Sequence, residues 1–251
     1  MIVPLAAVEY GAGPPLAILH GLFGSSRNWA SMAQRLAAHH RVIAIDLRNH
    51  GASPWAETMD YREMADDVRA TLQARGYDRF ALLGHSMGGK VAMTAALDHG
   101  AAVERLIVAD IAPILDRVKA MRGLDLDNIK RRSEADAALA PAIPDAAERA
   151  FLLQNLVLQD GQASWRLNLE AIEREMPRLV GFPAIQAGRT YDGPSLFVAG
   201  DRSDYLRPEH EPVIRRLFPK AEIANIDNAG HWLHAEQPAA FLAVVEAFLN
   251  R

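Results

Sequence analysis

The chain has 251 residues, of which 50% are hydrophobic and 23% are charged, so we expect one large α/β domain or one domain with an insertion. Its net charge is −4 without a long run of one sign, which gives no indication of a nucleic-acid or membrane-surface partner. Cysteine is absent, and this excludes disulfides, thiolate zinc sites and a cysteine nucleophile.

The first residues, MIVPLAAVEYGAGPP, lack the basic lead-in and the apolar length of a signal peptide. No run in the chain approaches the roughly 18 consecutive apolar residues of a membrane span. We therefore expect a soluble, cytoplasmic protein.

Short apolar runs alternate with helical patterns in the first 110 residues and again after residue 190. The predicted strands cover residues 5–10, 15–21, 41–46, 79–84, 103–110, 194–200 and 221–226. The predicted helices cover residues 28–40, 61–76, 87–100, 209–218 and 238–249. This alternation predicts a mostly parallel sheet with helices on both faces.

Only helical patterns occur in residues 111–190, where Pro141, Pro144, Pro177 and Pro183 are expected to break them. This segment predicts a helical lid, or cap, inserted before the last two strands. The expected organisation is thus a core of residues 1–110 and 191–251 with a lid of residues 111–190.

A glycine-rich segment follows one of the predicted strands. Residues 81–90 read ALLGHSMGGK and place Ser86 between Gly84 and Gly88. The spacing G-x-S-x-G is typical of a nucleophile elbow, where a strand turns sharply into a helix and the serine is strained. Gly89 adds further space for that turn. From the motif alone, a tight turn in which Ser86 only caps the helix remains an alternative.

The same letters also resemble the start of a phosphate-binding loop, with four residues between Gly84 and the pair Gly89 and Lys90. Such a loop needs Ser or Thr directly after the lysine to bind magnesium, and Val91 stands there. Asp110 would be the candidate magnesium ligand in this interpretation. The missing hydroxyl favours the nucleophile elbow.

A serine nucleophile needs a base that accepts its proton. In folds that carry a nucleophile elbow, the order along the chain is serine, then the acid, then the basic histidine. His231 lies in the segment DNAGHWLH, between the last predicted strand and the last predicted helix, and is our candidate base. His210 falls in a predicted helix and His234 is expected to flank the pocket or cap the terminal helix. A metal site on His231 and His234 is a weak alternative because no carboxylate clearly completes it.

The acid should end a strand between Ser86 and His231. Asp110 ends one such strand, and Asp201 and Asp204 follow the next. We favour Asp110 because its strand should lie beside the Ser86 strand after a right-handed crossover, and because a charge there is costly without a partner. Asp204 is the alternative acid. A helix cap at Asp110 and a solvated turn at the other two are the non-catalytic interpretations.

The segment LHGLFGSSRNW follows a predicted strand and has the His-Gly start typical of an oxyanion loop. We expect the amide N–H groups of Leu22 and Met87 to face the developing oxyanion. His20 is expected to orient this loop. The candidate lining residues of the substrate pocket are His20, Phe23, Trp165 and Trp232. Residues 151–158 of the lid could also line an acyl pocket, but for most of them packing of the lid onto the core is the favoured interpretation. The basic segment 129–136 could meet a coenzyme A phosphate, but a solvated turn is the favoured interpretation.

Together, the segments HGLFGSSRNW, VIAIDLRNHGAS, LLGHSMGGKVAM, VADIAP and NAGHWLHAEQP resemble the α/β-hydrolase superfamily, and more closely its YbfF-type esterases. The resemblance covers nearly the whole chain and is weakest in the lid. Ser86 and His231 match the nucleophile and base of that family. The acid of the subgroup matches Asp110, whereas many other α/β-hydrolases place it near Asp204.

The resemblance implies an α/β-hydrolase fold and a serine hydrolase that cleaves acyl esters, with acyl thioesters as a second substrate class. A Ser-His-Asp triad would act through an acyl-enzyme, without cofactor or metal, on a small-molecule substrate and without nucleic acid or membrane. Carbon–carbon bond hydrolysis or cofactor-free perhydrolysis on the same fold and a non-catalytic ligand receptor are the alternatives. The sequence leaves the physiological acyl chain and the oligomeric state open.

Overall fold

The computed structural model describes residues 1–111, 121, 124–143, 146–160, 162–180, 182–183, 185–186 and 188–251. The strands in chain order are β1 (Ala7–Tyr10), β2 (Pro15–Leu19), β3 (Arg41–Ile45), β4 (Phe80–His85), β5 (Val103–Ala109), β6 (Leu156–Gln159), β7 (Gln162–Trp165), β8 (Ser195–Gly200) and β9 (Ala221–Ile226). The helices are α1 (Ala30–Leu36), α2 (Tyr61–Gln73), α3 (Met87–Asp98), α4 (Arg132–Leu139), α5 (Ala146–Leu153), α6 (Leu169–Val180), α7 (Glu211–Leu217), α8 (Leu233–Glu236) and α9 (Pro238–Leu249). Short 3-10 turns cover Ser26–Trp29, Leu126–Asn128 and Pro208–His210.

A seven-stranded sheet has the order β1-β3-β2-β4-β5-β8-β9. β1 pairs antiparallel with β3, and the other neighbouring strands of this sheet run parallel. The predicted mostly parallel sheet is therefore confirmed, and the observed ends of its strands lie within two residues of the predicted ends.

Both faces of the sheet are covered, because successive strand residues point to opposite sides. On β4, Leu82 packs in the apolar cluster that includes residues of α2 and α3, whereas Leu83 packs in the cluster that includes Phe241 of α9 and Met32 of α1. All six residues of β4 are buried, which explains why this strand reads as an unbroken apolar run.

The register of the two central strands brings distant residues to one edge of the sheet. His85 at the end of β4 pairs with Ala109 at the end of β5. Ser86 and Asp110 follow directly, and the Ser86 N–H lies 2.9 Å from the carbonyl oxygens of both Ala109 and Asp110. The loop after β9 reaches the same edge, which is where open α/β sheets bind ligands.

Between β5 and β8 the chain forms an inserted segment, of which the described residues contain α4, α5, α6 and an antiparallel hairpin of β6 and β7. The hairpin was not predicted, because its first strand continues the apolar run of α5 and each strand has only four residues. The expected break at Pro177 is wrong, since α6 continues through it. Pro144 and residues 112–113 of the DIAP motif lie outside the described residues. In the described part of the chain, no helix is both long and apolar enough to span a bilayer.

Candidate active site

Ser86 lies at the sharp turn between β4 and α3. Its backbone has φ 53° and ψ −120°, a conformation that is rare and strained for a residue with a side chain. The side chain makes no capping hydrogen bond to the first turn of α3. The geometry therefore matches the nucleophile elbow and not a serine cap.

The glycines around Ser86 let β4, β2 and α3 approach one another. A Cβ atom on Gly84 would lie 2.1 Å from the carbonyl oxygen of Gly88. A Cβ atom on Gly88 would lie 2.5 Å from the carbonyl oxygen of His20. Both distances are far below ordinary van der Waals contact, so a side chain at either position would force the backbone segments apart, and glycine is strongly favoured at both.

Asp110 and His231 are in direct contact. His231 Nδ1–H donates to Asp110 Oδ2 at 2.8 Å, and the Asp110 carboxylate is fully buried. The same oxygen accepts a hydrogen bond from the hydroxyl of Ser203, which follows β8. This bonding assigns the proton of a neutral imidazole to Nδ1 and leaves Nε2 as the basic nitrogen.

Burial sets the protonation of this pair. Desolvation lowers the pKa of His231 to about 4, while the charge of Glu236 raises it by a smaller amount. Desolvation also raises the pKa of Asp110, and the Ser203 hydroxyl opposes that shift. The carboxylate–imidazole contact counteracts both effects because it stabilises the charged pair. The lowered pKa of His231 corresponds to an imidazole that is neutral at neutral pH.

Three further side chains hold the His231 loop in place. The Glu236 carboxylate accepts hydrogen bonds from the N–H groups of Gly230 at 2.7 Å and Trp232 at 3.2 Å, on either side of His231. His85 Nε2–H donates to the His231 carbonyl at 2.8 Å. The ring of Tyr205 stands edge-on to the imidazole, with centroids 4.7 Å apart. Sequence analysis identified none of these roles.

Two histidines fix the loop that follows β2. His20 Nδ1–H donates to the Gly21 carbonyl at 2.8 Å, and its Nε2 accepts from the Leu47 N–H at 3.0 Å. His50 Nε2 accepts from the N–H of Phe23, whose φ is 64°. His20 is therefore placed to orient the loop, and His50 is a second support that sequence analysis missed.

The amides of Leu22 and Met87 were the predicted oxyanion donors. Leu22 belongs to the loop after β2, and Met87 is the first residue of α3. Neither N–H donates a hydrogen bond to the chain, as far as the described residues extend. Both groups are thus available to a substrate oxygen, and their role stays a prediction.

A narrow cavity of about 30 Å³ adjoins Ser86. Its described lining residues are His20, Gly21, Leu22, Gly24, Asn28, Trp29, His85, Ser86, Phe151, His231, Trp232 and His234. Of the four predicted pocket residues, His20 and Trp232 are in this lining, whereas Phe23 and Trp165 are not. Phe151 of α5, from the lid segment 151–158, is also in the lining, and its ring lies 5.6 Å from that of Trp232.

Of the remaining candidates, Asp201, Asp204 and His210 are not in the lining of this cavity, whereas His234 is, as expected for a residue that flanks the pocket. Asp204 is 82% exposed and pairs with Arg207 at 3.0 Å, and Asp201 accepts from the Ala229 N–H. His210 accepts a hydrogen bond from the Arg207 N–H, in a 3-10 turn. His234 is buried and stacks on Trp29, with ring centroids 4.2 Å apart.

The phosphate-loop interpretation has no support in the geometry of Lys90. Its ammonium donates to the carbonyl of Leu179 in α6 and lies 5.7 Å from the ring centre of Tyr61. Within the described residues, no three His, Asp or Glu side chains are grouped as a metal site requires.

The family model of the alpha/beta hydrolase fold matches residues 14–238. The chain belongs to the α/β-hydrolase family. This confirms the resemblance and the fold class inferred from the sequence. This α/β-hydrolase is also 39% identical to the sn-1-specific diacylglycerol lipase ABHD11 of Mus musculus, over 94% of this chain and 81% of that protein.

Two other relatives of this α/β-hydrolase match along almost their entire length. Esterase YbfF of Escherichia coli strain K12 is 34% identical over 94% of this chain and 93% of its own. A solved structure described as a marine microorganism esterase superimposes with a TM-score of 0.93, at 36% identity, and covers 98% of this chain and 99% of its own. The inserted segment is thus included in the similarity.

Proposed function

We propose that this α/β-hydrolase cleaves carboxylic esters by forming an acyl-enzyme on Ser86. The chain is an ester hydrolase of the esterase and lipase class, as its relatives named YbfF and ABHD11 are. The assignment of the catalytic groups is carried by one observation. The buried carboxylate of Asp110 accepts a hydrogen bond from His231 Nδ1–H, at the sheet edge where strained Ser86 follows β4.

The proposed reaction uses this arrangement in two steps. Ser86 Oγ attacks the ester carbonyl while His231 Nε2 accepts the hydroxyl proton, and the N–H groups of Leu22 and Met87 stabilise the oxyanion. The intermediate then collapses, the C–O bond to the alcohol breaks, and His231 returns the proton to the departing oxygen. Water, activated by the same imidazole, cleaves the acyl-enzyme and releases the carboxylic acid.

Asp110 contributes without exchanging a proton. Its carboxylate keeps the Nδ1–H tautomer of His231 and stabilises the imidazolium that forms after proton transfer. Acyl thioesters would react at the same carbonyl through the same steps, so we include them in the proposed substrate range. The described residues between β5 and β8, with Phe151 beside the Ser86 cavity, support the role of the inserted segment as a lid.

The test combines covalent labelling with turnover. The wild-type protein, Ser86→Ala and the control Ser133→Ala, a change on the exposed side of α4, are treated with a fluorophosphonate and assayed on 4-nitrophenyl esters and acyl thioesters of graded length. We expect one adduct on the peptide that contains Ser86, and a turnover at least about 10⁴-fold lower in Ser86→Ala. Full activity and labelling in Ser86→Ala would disprove the assignment, and a wild-type protein that neither labels nor hydrolyses would contradict the enzyme and favour the receptor alternative.

A further inference from the structure

A second cavity, of about 350 Å³, lies beside the oxyanion loop. Its described lining residues are Phe23, Ser25, Arg27, Asn28, Arg132, Ala150, Gln154, Asn155 and Arg166. Asn28 also lines the narrow cavity at Ser86, and α5 contributes residues to both. The two cavities are therefore neighbours, separated by the loop that carries the proposed oxyanion donor Leu22.

The charge of this second cavity is of one sign. Arg27, Arg132 and Arg166 are the ionisable side chains of its described lining, and no described lining residue carries a carboxylate. Arg132 donates to the Leu156 carbonyl at 2.9 Å. None of the three forms an ion pair with a carboxylate in the parts of the chain that are described.

Nearby arginines of the inserted segment are neutralised in the usual way. Arg149 pairs with Asp136 at 2.8 Å, and Arg131 pairs with Glu134 at 2.8 Å. Among the described residues, the second cavity thus brings together three guanidinium groups that have no carboxylate partner. Such a cavity attracts anions, because a recess lined by one sign of charge focuses its potential.

The wall between the guanidinium groups is polar and held in place. Asn28 Nδ2 donates to Gln154 Oε1 at 2.7 Å, and Asn28 Oδ1 accepts from the Ser25 N–H at 2.7 Å. Asn155 Nδ2 donates to the Phe23 carbonyl at 2.7 Å. These bonds connect the turn after α5 to the oxyanion loop, so an anion bound here would have a fixed position relative to the reacting carbonyl.

We propose that this arginine cavity binds an anionic group, a carboxylate or a phosphate, at the end of the ester that is remote from the scissile bond. Guanidinium groups suit both because their forked N–H donors match carboxylate and phosphate oxygens. The expected preference among esters rests on the proposed function, whereas the binding of an anion in this cavity does not. The preferred substrates are then anionic esters, and neutral esters of the same length react less well.

The kinetic test compares matched ester pairs. Mono-4-nitrophenyl succinate is compared with 4-nitrophenyl butyrate, and 1-butyrylglycerol 3-phosphate with 1-butyrylglycerol, so that the two pairs distinguish carboxylate from phosphate. In the wild type we expect kcat/KM for at least one anionic ester to be about tenfold higher than kcat/KM for its neutral partner. The ratio of these two values should fall in 0.5 M salt. In the double variant Arg27→Gln/Arg166→Gln the ratio should fall towards one.

The matched control is Arg79→Gln. The Arg79 side chain is 68% exposed, forms an ion pair with Glu104 of β5 and is not in the lining of the arginine cavity. Its ratios should equal those of the wild type. Anionic and neutral esters that react equally well in the wild type would overturn the inference, as would a preference that persists in the double variant.

A binding measurement separates this inference from the proposed function. Inorganic phosphate and monomethyl succinate are titrated calorimetrically into Ser86→Ala, with and without the two arginine changes. Binding of either probe that weakens about tenfold in the combined variant supports the arginine cavity even if no ester is hydrolysed. Absence of binding of both probes, or equal binding in both proteins, would contradict it whatever the esterase assay shows.

Discussion

Asp110 Oδ2 accepts a hydrogen bond from Nδ1 of His231 at 2.8 Å, although 121 residues separate the two along the chain. The contact arises because β5 lies beside β4 in the sheet and the loop after β9 returns to the same edge. The buried carboxylate would be costly without this partner and Ser203. The pair is therefore the structural reason to place the proposed acid directly after β5 and not in the loop after β8.

Exchanging each candidate acid for an amide tests that choice. Asp110→Asn should lower ester turnover by about 10⁴-fold, because an amide favours the wrong imidazole tautomer. Asp204→Asn is the matched control and should stay within about twofold of wild type, since Asp204 is exposed and pairs with Arg207. Turnover is measured at saturating ester. Collapse in Asp204→Asn with near-normal turnover in Asp110→Asn would move the acid to the loop after β8.

The pH dependence follows from the burial of His231. A general base works as the neutral imidazole, and burial lowers the pKa of His231 to about 4. As pH falls from 7, kcat/KM should stay level and then decrease with a midpoint below about 6.5, the value of an unperturbed histidine. A profile measured from pH 4 to 8 checks this. A midpoint above 6.5 would mean that Asp110 stabilises the imidazolium more than burial disfavours it.

Glu236 is predicted to position His231 without touching the substrate. Glu236→Ala removes two hydrogen bonds from the His231 loop, and we expect kcat to fall about tenfold with a smaller change in KM. Because the Glu236 charge raises the pKa of His231, its removal should also shift the acid limb of the pH profile to lower pH. Glu209→Gln, a change at an exposed carboxylate, should leave both unchanged. An unshifted acid limb with reduced kcat would indicate a purely structural role.

Phe151 and Trp232 restrict the space beside Ser86. The cavity of about 30 Å³ holds little more than one water, so a larger acyl chain must displace one of these rings. Phe151→Ala should therefore raise kcat/KM for 4-nitrophenyl octanoate relative to the acetate by about tenfold. Leu158→Ala, a change at an exposed residue of the hairpin, is the control. An unchanged ratio in Phe151→Ala would show that the chain enters from another side.

The sequence predicted those features of the site that are encoded locally. The elbow at Ser86 was predictable because Gly84 and Gly88 are needed within one turn, and the position of His231 followed from a loop directly after the last strand. The supports at Ser203 and Glu236 were not predicted, because their side chains reach the site only through tertiary packing. The short hairpin was missed for a related reason: a four-residue strand is too short for its periodicity to differ from that of a helix.

The close approach at the elbow predicts a graded response to added methyl groups. Gly84→Ala would place Cβ 2.1 Å from the Gly88 carbonyl oxygen, and since that contact is with backbone, β4 and α3 must separate. We expect a loss of about 3 kcal/mol or more in unfolding free energy, at the upper end for overpacking, together with loss of ester turnover. Gly89→Ala is the matched control, because its Cβ would meet the Gly84 oxygen only at 3.1 Å and a Val108 methyl at 3.2 Å, contacts that need a shift of a few tenths of an ångström. The better helix propensity of alanine, about 1 kcal/mol, should offset that milder contact and keep Gly89→Ala close to wild type. Thermal unfolding and turnover of both variants measure the difference, and equal stability of Gly84→Ala and Gly89→Ala would contradict the geometry of the elbow.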